Sequence, residues 1–177
     1  PVWDDLKFPA ERTKKITGKE PKETAYRGGQ VLEFEFDETQ AVAFNVQFPH
    51  NRKANSDISP HIHVVLPVAG SGAGVENIKI DMTYSWANVN GVFASETTIT
   101  NTYDVQNLAA DTHTIIPIED ILGTAPSGTE GVSAMMICSI QRDHTVADNY
   151  TGSFYLLEAD IHYQIDDMGS VTEYSKT

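Results

Sequence analysis

Residues 76–87, ENIKIDMTYSWA, alternate between apolar and polar side chains without a break. Ile78, Ile80, Met82, Tyr84 and Trp86 fall on one side, and Asn77, Lys79, Asp81, Thr83 and Ser85 on the other. A period of two marks a strand with one buried face, and it recurs along the chain. VLEFEF (31–36) sets Leu32, Phe34 and Phe36 against Glu33 and Glu35. QAVAFNVQF (40–48) repeats the pattern with Val42, Phe44, Val46 and Phe48. Only Asp-Glu-Thr separates these two, so 31–48 reads as a hairpin. PHIHVVLP (60–67), SETTITNTYDV (95–105), HTIIPI (113–118) and GSFYLLEADIHYQID (152–166) are further strands. In the last, Tyr155, Leu157, Ala159, Ile161, Tyr163 and Ile165 face one way. GVSAMMICSIQR (131–142) is apolar on both faces and reads as a central strand covered on both sides. The Thr-rich 95–105 suits a sheet edge, or a strand completed by another subunit. EDILG (119–123) reads as a single helical turn.

Eight strands with Gly, Pro, Asn and Asp between them, and no long helical pattern, predict an all-β fold. The expected architecture is an antiparallel β-sandwich, jelly-roll-like. An immunoglobulin-like sandwich would bring a Cys-Trp-Cys framework, whereas this chain has one cysteine, Cys138. A lone cysteine excludes an internal disulfide and a multi-Cys zinc site. In its apolar run it reads as a small buried hydrophobe.

The 177 residues suit one domain with an arm. Net charge is −13, but residues 1–30 carry seven of the twelve Lys+Arg and only five of the 25 acids. That segment is short of aliphatics, and reads as an extended N-terminal arm ahead of a β-sandwich domain at 31–177. Its tip would dock and leave a flexible linker behind. Trp3, Leu6 and Phe8 are the apolar anchors expected to contact a partner, the body or another chain; losing Trp3 should cost assembly roughly 2 kcal/mol or more. The acidic body disfavours nucleic acid. No apolar run reaches membrane-spanning length, and no secretory leader is visible.

The residues that could carry chemistry are few. No nucleophile elbow, zincin helix, phosphate loop or dinucleotide fingerprint occurs. His61 and His63 lie two apart on one strand face, as metal ligands can. A cupin would follow such a pair with a glutamate, but here VVLPVAG follows; His144 is a distant third candidate. On the last strand Glu158, Asp160 and His162 share a face with Gln164 and Asp166. If that strand pairs beside 60–67, His61, His63, Glu158, Asp160 and His162 would meet, as a polar network or around a divalent ion. Tyr103, Tyr150 and Trp86 are the aromatics a carbohydrate- or receptor-binding role would use.

Several strings resemble a group of small proteins encoded by tailed bacteriophages and prophages: VWDDLKFP, PHNRKANSDISPHIH, YSWANVNGVF, SAMMICSIQRD and LLEADIHYQIDDMGSVTEY. The resemblance runs over nearly the whole chain. It implies a β-sandwich virion component without enzymatic activity or cofactor. Such a component would be a capsid cement or decoration protein, or a neck or tail piece. It also implies self-association, with a trimer favoured by analogy, contact with the major capsid protein or other virion proteins, and residence in the virion after assembly in the host cytoplasm. Relatives commonly carry an aromatic after the second His of P-H-x-H; here Val64 stands there, so no role for that aromatic transfers.

Overall fold

The computed structural model describes residues 2–123, 132–145, 147–166 and 168–169. Gly131, where one expected strand opens, and the end of the closing string lie outside the described residues. Eleven strands are present among them: β1 (Val2–Pro9), β2 (Lys14–Lys15), β3 (Lys22–Tyr26), β4 (Gly29–Phe34), β5 (Ala41–Gln47), β6 (Ile58–Val65), β7 (Asn77–Ala87), β8 (Thr97–Asp104), β9 (His113–Pro117), β10 (Met135–Arg142) and β11 (Phe154–Ile165).

All strand pairs are antiparallel, in two sheets. The first runs β3-β4-β11-β6-β9, with β1 also paired to β11; the second runs β2-β5-β10-β7-β8. If the eight strands from β4 to β11 are counted one to eight, the sheets read 1-8-3-6 and 2-7-4-5. Consecutive strands thus pass repeatedly from sheet to sheet, which is the winding of a jelly roll. The chain is an all-β antiparallel sandwich, as the alternation predicts.

The core is the sum of the inward positions. Val42, Val46, Phe48, Ile62, Val64, Ile78, Ile80, Met82, Met136, Leu156 and Ile161 are buried between the sheets. Rings lock the interior: Phe34 stacks on Phe154 at 4.9 Å and Phe48 on Trp86 at 4.8 Å between centroids. Cys138 is buried among them, and burial pushes its thiol pKa well up.

Four expectations need correction. The 31–48 hairpin does not form, because β4 lies in the first sheet and β5 in the second. Alternation tells which face is buried, not which strand is the neighbour, and a short connection turns the corner of a sandwich as well as it closes a hairpin. The helical turn at 119–123 is instead extended: Ile121 and Ile58 exchange backbone hydrogen bonds of 3.0 and 2.8 Å. Strand β10 is central in its sheet but covered on one face only; on the other, Ile137 is 49% exposed and Met135 37%.

The fourth concerns residues 14–26. They form no loose linker: β2 pairs with β5 and β3 with β4. The tip docks on its own body, since β1 runs along β11 from Val2↔Ile165 to Pro9↔Glu158. It continues, along the same flank of β11, the pairing that β4 makes with Phe154–Leu156.

Candidate functional site: a histidine-carboxylate cluster on the first sheet

The site begins with a bulge. In β11, Leu156 pairs with Val64 and Glu158 with His63, so Leu157 is an extra residue. An extra residue inverts the phase of a strand. Before it, Phe154 and Leu156 point into the core; after it, Ala159, Ile161 and Tyr163 do. The inward row expected from Tyr155 to Ile165 therefore holds only beyond the bulge. Strict continuation from Leu156 would send Glu158, Asp160 and His162 into the core. The bulge sets all three on the outer face instead.

On that face β1, β11, β6 and β9 lie side by side. Lys7 faces Asp160, which faces His61, which faces Pro117. One row along, Pro9, Glu158, His63 and Ile115 align; on the other side, Asp5, His162 and Ser59 do. The register thus brings His61, His63, Glu158, Asp160 and His162 together. It adds two residues the sequence alone did not point to. Asp5 takes the His162 Nε2 at 2.8 Å, and His113 Nε2 lies 2.7 Å from His63 Nδ1. Four of the chain's six histidines meet here. His144 does not, being bonded to Thr39.

At the centre three ligand atoms converge. His61 Nε2 and His63 Nε2 are 3.1 Å apart, and Asp160 Oδ2 lies 3.7 Å from the first and 3.3 Å from the second. Asp160 is 3% exposed and His61 5%, whereas the His63 side chain opens to solvent at 19%. Burial, and then the neighbouring His162 and His63 rings, lower the His61 pKa to about 4, so its imidazole is neutral at pH 7. Burial first, and then the Asp160 charge, raise the Glu158 pKa. A proton kept on Glu158 would be donated toward Asp160. Asp160 Oδ1 is buried with no hydrogen-bond partner.

The arm anchors behave differently from one another. Leu6 and Phe8 pack against this chain's own core, with the Phe8 ring 4.7 Å from Phe44 of the second sheet. Trp3 stays 46% exposed. Tyr163 ties the arm down by donating to Asp4 Oδ2 at 2.9 Å; burial and that carboxylate push its phenol to about 12. Of the aromatics considered for carbohydrate binding, Trp86 and Tyr150 are buried and Tyr103 packs against the core.

No family model matches the chain, and no curated protein matches it in sequence. Solved structures of low identity align with it. A CocE/NonD family hydrolase from Staphylococcus aureus aligns with TM-score 0.50 and 10% identity over 93% of this chain and 37% of that one. The infectious bursal disease virus Gx strain structure gives 0.44 and 8%, over 95% of this chain and 33% of that one. A non-crystalline cellulose specific carbohydrate-binding module, CBM28, gives 0.41 and 11%, over 84% and 87%. The chain thus spans about a third of the length of the viral chain and of the hydrolase. The hydrolase alignment, at 10% identity, is a likeness of fold alone; the strand order itself gives two antiparallel sheets wound as a β-sandwich.

Proposed function

We propose that the chain is a non-enzymatic structural protein of a tailed-bacteriophage virion, a capsid cement or decoration protein that works as a homo-oligomer, with a trimer favoured. The observation that carries the reading is the outer face of the second sheet. The β10 sequence is that of a strand covered twice, yet the described residues cover it once and leave Met135 and Ile137 exposed, with Phe93 beside Ile137. Exposed apolar side chains grouped on a regular sheet face suit burial by a further copy. The resemblance of the arm, the P-H-x-H segment and the closing strand to phage proteins supplies the virion setting, and with it contact with the major capsid protein. Trp3, on the outside of β1, remains the arm's candidate for that contact.

Two measurements test the reading. Light scattering of the purified chain should give a multiple of the monomer mass, reduced to the monomer by Ile137→Lys. Mass spectrometry of tailed particles purified from the source should find the chain at a copy number comparable to the capsid protein. A wild-type monomer that is absent from particles would overturn it.

A further inference from the structure

We infer that His61, His63 and Asp160 form a binding site for one divalent transition-metal ion, held across β6 and β11 on the outer face of the first sheet. The inference stands on geometry and does not depend on the virion reading.

Metal–ligand bonds to imidazole nitrogen and carboxylate oxygen are about 2.1 Å, so cis ligand atoms stand roughly 3.0 Å apart in an octahedron and roughly 3.4 Å in a tetrahedron. The three atoms here form a triangle with sides of 3.1, 3.3 and 3.7 Å. That is the face of a coordination polyhedron, already assembled. It is a poor arrangement for three groups left to themselves. Two Nε2 atoms and one carboxylate oxygen meet where the imidazoles, when neutral, hold at most two N–H donors between them.

The groups around the triangle orient it. His63 turns its Nδ1 to His113, which leaves Nε2 for the ion. A hydrogen bond at the second ring nitrogen is how proteins fix the tautomer of a ligating histidine. His162 is held off by Asp5 and closes one side, its ring 4.3 Å from that of His61. Asp160 supplies the negative charge, and no N–H or hydroxyl donor reaches its buried Oδ1, a desolvation cost that a cation beside it would offset. Two imidazoles and a carboxylate suit Zn(II), Co(II), Ni(II), Mn(II) or Fe(II) rather than Mg(II) or Ca(II), which prefer all-oxygen sites. The remaining positions open past His63 to water. The ion would pin the bulged part of β11 to β6.

The test uses the full chain, stripped with EDTA and dialysed at pH 7.5. Calorimetric titration with Zn(II) should give one site per chain. Co(II) should bind with the visible absorption of a low-coordinate nitrogen–oxygen site. His63→Ala, the most exposed ligand and the one least needed for folding, and Asp160→Asn should each weaken Zn(II) at least a hundredfold. His144→Ala should leave it unchanged. At a hundredfold excess over Kd, Zn(II) should raise the wild-type melting temperature by about 5 °C or more. Melting curves in EDTA establish that each variant is folded. No saturable binding by the wild type, or binding equally tight in folded His63→Ala and Asp160→Asn, would overturn the site.

Discussion

Two of the places where the molecule buries charge are treated in opposite ways. At the end of β10, Arg142 is wholly inside the protein. Its guanidinium grips Asp148 with two hydrogen bonds of 2.9 and 2.8 Å, and reaches the carbonyls of Phe34, Gly152 and Tyr150. Asp148 also accepts the Lys79 amide, and the Phe36, Tyr150 and Phe154 rings lie about the guanidinium. This cluster joins both sheets and the loop at 148–152, and it is complete. On the outer face of the first sheet, by contrast, Asp160 keeps an oxygen without a partner and two imidazole nitrogens crowd its other oxygen. A buried polar network that satisfies itself serves the fold. One that leaves lone pairs converging on a point serves whatever arrives there.

The sharpest way to break this contrast is to remove one partner from each. Arg142→Ala leaves Asp148 charged and buried, and should cost about 3–5 kcal/mol in urea unfolding. A loss under ~1 kcal/mol would show that the cluster is not the clamp its geometry implies. Next in size is a pH effect at the other cluster. In EDTA, His61 binds its proton less readily when folded, near pH 4, than in the unfolded chain, near 6.5. The unfolded state therefore takes up the extra proton between those values. Stability should be level above pH 6.5 and fall as pH drops toward 4, by on the order of 2 kcal/mol. His61→Gln should flatten that limb, while changes at Asp5, His113 or His162 should only displace it.

Smaller still is Asp160→Asn in EDTA, expected to stay within about 1 kcal/mol of wild type because the lost charge had no full complement. With Zn(II) added the gap should widen, since only the wild type gains the ion. A large loss in EDTA would place Asp160 with Asp148, as a structural residue. The smallest effect is that of Trp3→Ala on the unfolding of the isolated chain, about 0.5 kcal/mol or less for a half-exposed ring. Any loss of particle binding by that variant then belongs to the partner.

The sheet positions were legible because alternation is a local signal. Every strand from β4 to β11 falls on a segment whose pattern could be read directly, with β4 and β6 each starting two residues earlier, and the Thr-rich 97–104 stands at an edge, paired to β7 alone. The arm was less legible. Lys14–Lys15 and Lys22–Tyr26 are too short or too polar to show a period; the first gains its pairing from β5, well along the chain, and the second from β4 across a two-residue turn at Arg27-Gly28. At the site, His61 and His63 announce themselves by spacing, and Asp160 by its place in a polar row. His113 and Asp5 do not, because only the register of β9 on β6 and of β1 on β11 brings them in. The partner of Arg142 was hidden for another reason, the path of the loop that follows β10. Asp143 is adjacent in sequence but pairs with Lys79, while Asp148 closes on the guanidinium from a loop.

Leu157 carries a consequence of its own. It is one residue of surplus length, taken up by the bulge. Deleting it would leave Leu156 facing in, Glu158 out and Ala159 in, which is plain alternation with both surfaces unchanged. The bulge is slack in the chain. For a lineage descended from this chain, a three-nucleotide deletion at Leu157 would straighten the strand and keep the cluster outside. The same loss within β6, whose pairing with β11 and β9 has no surplus residue, would turn part of its row to the other face.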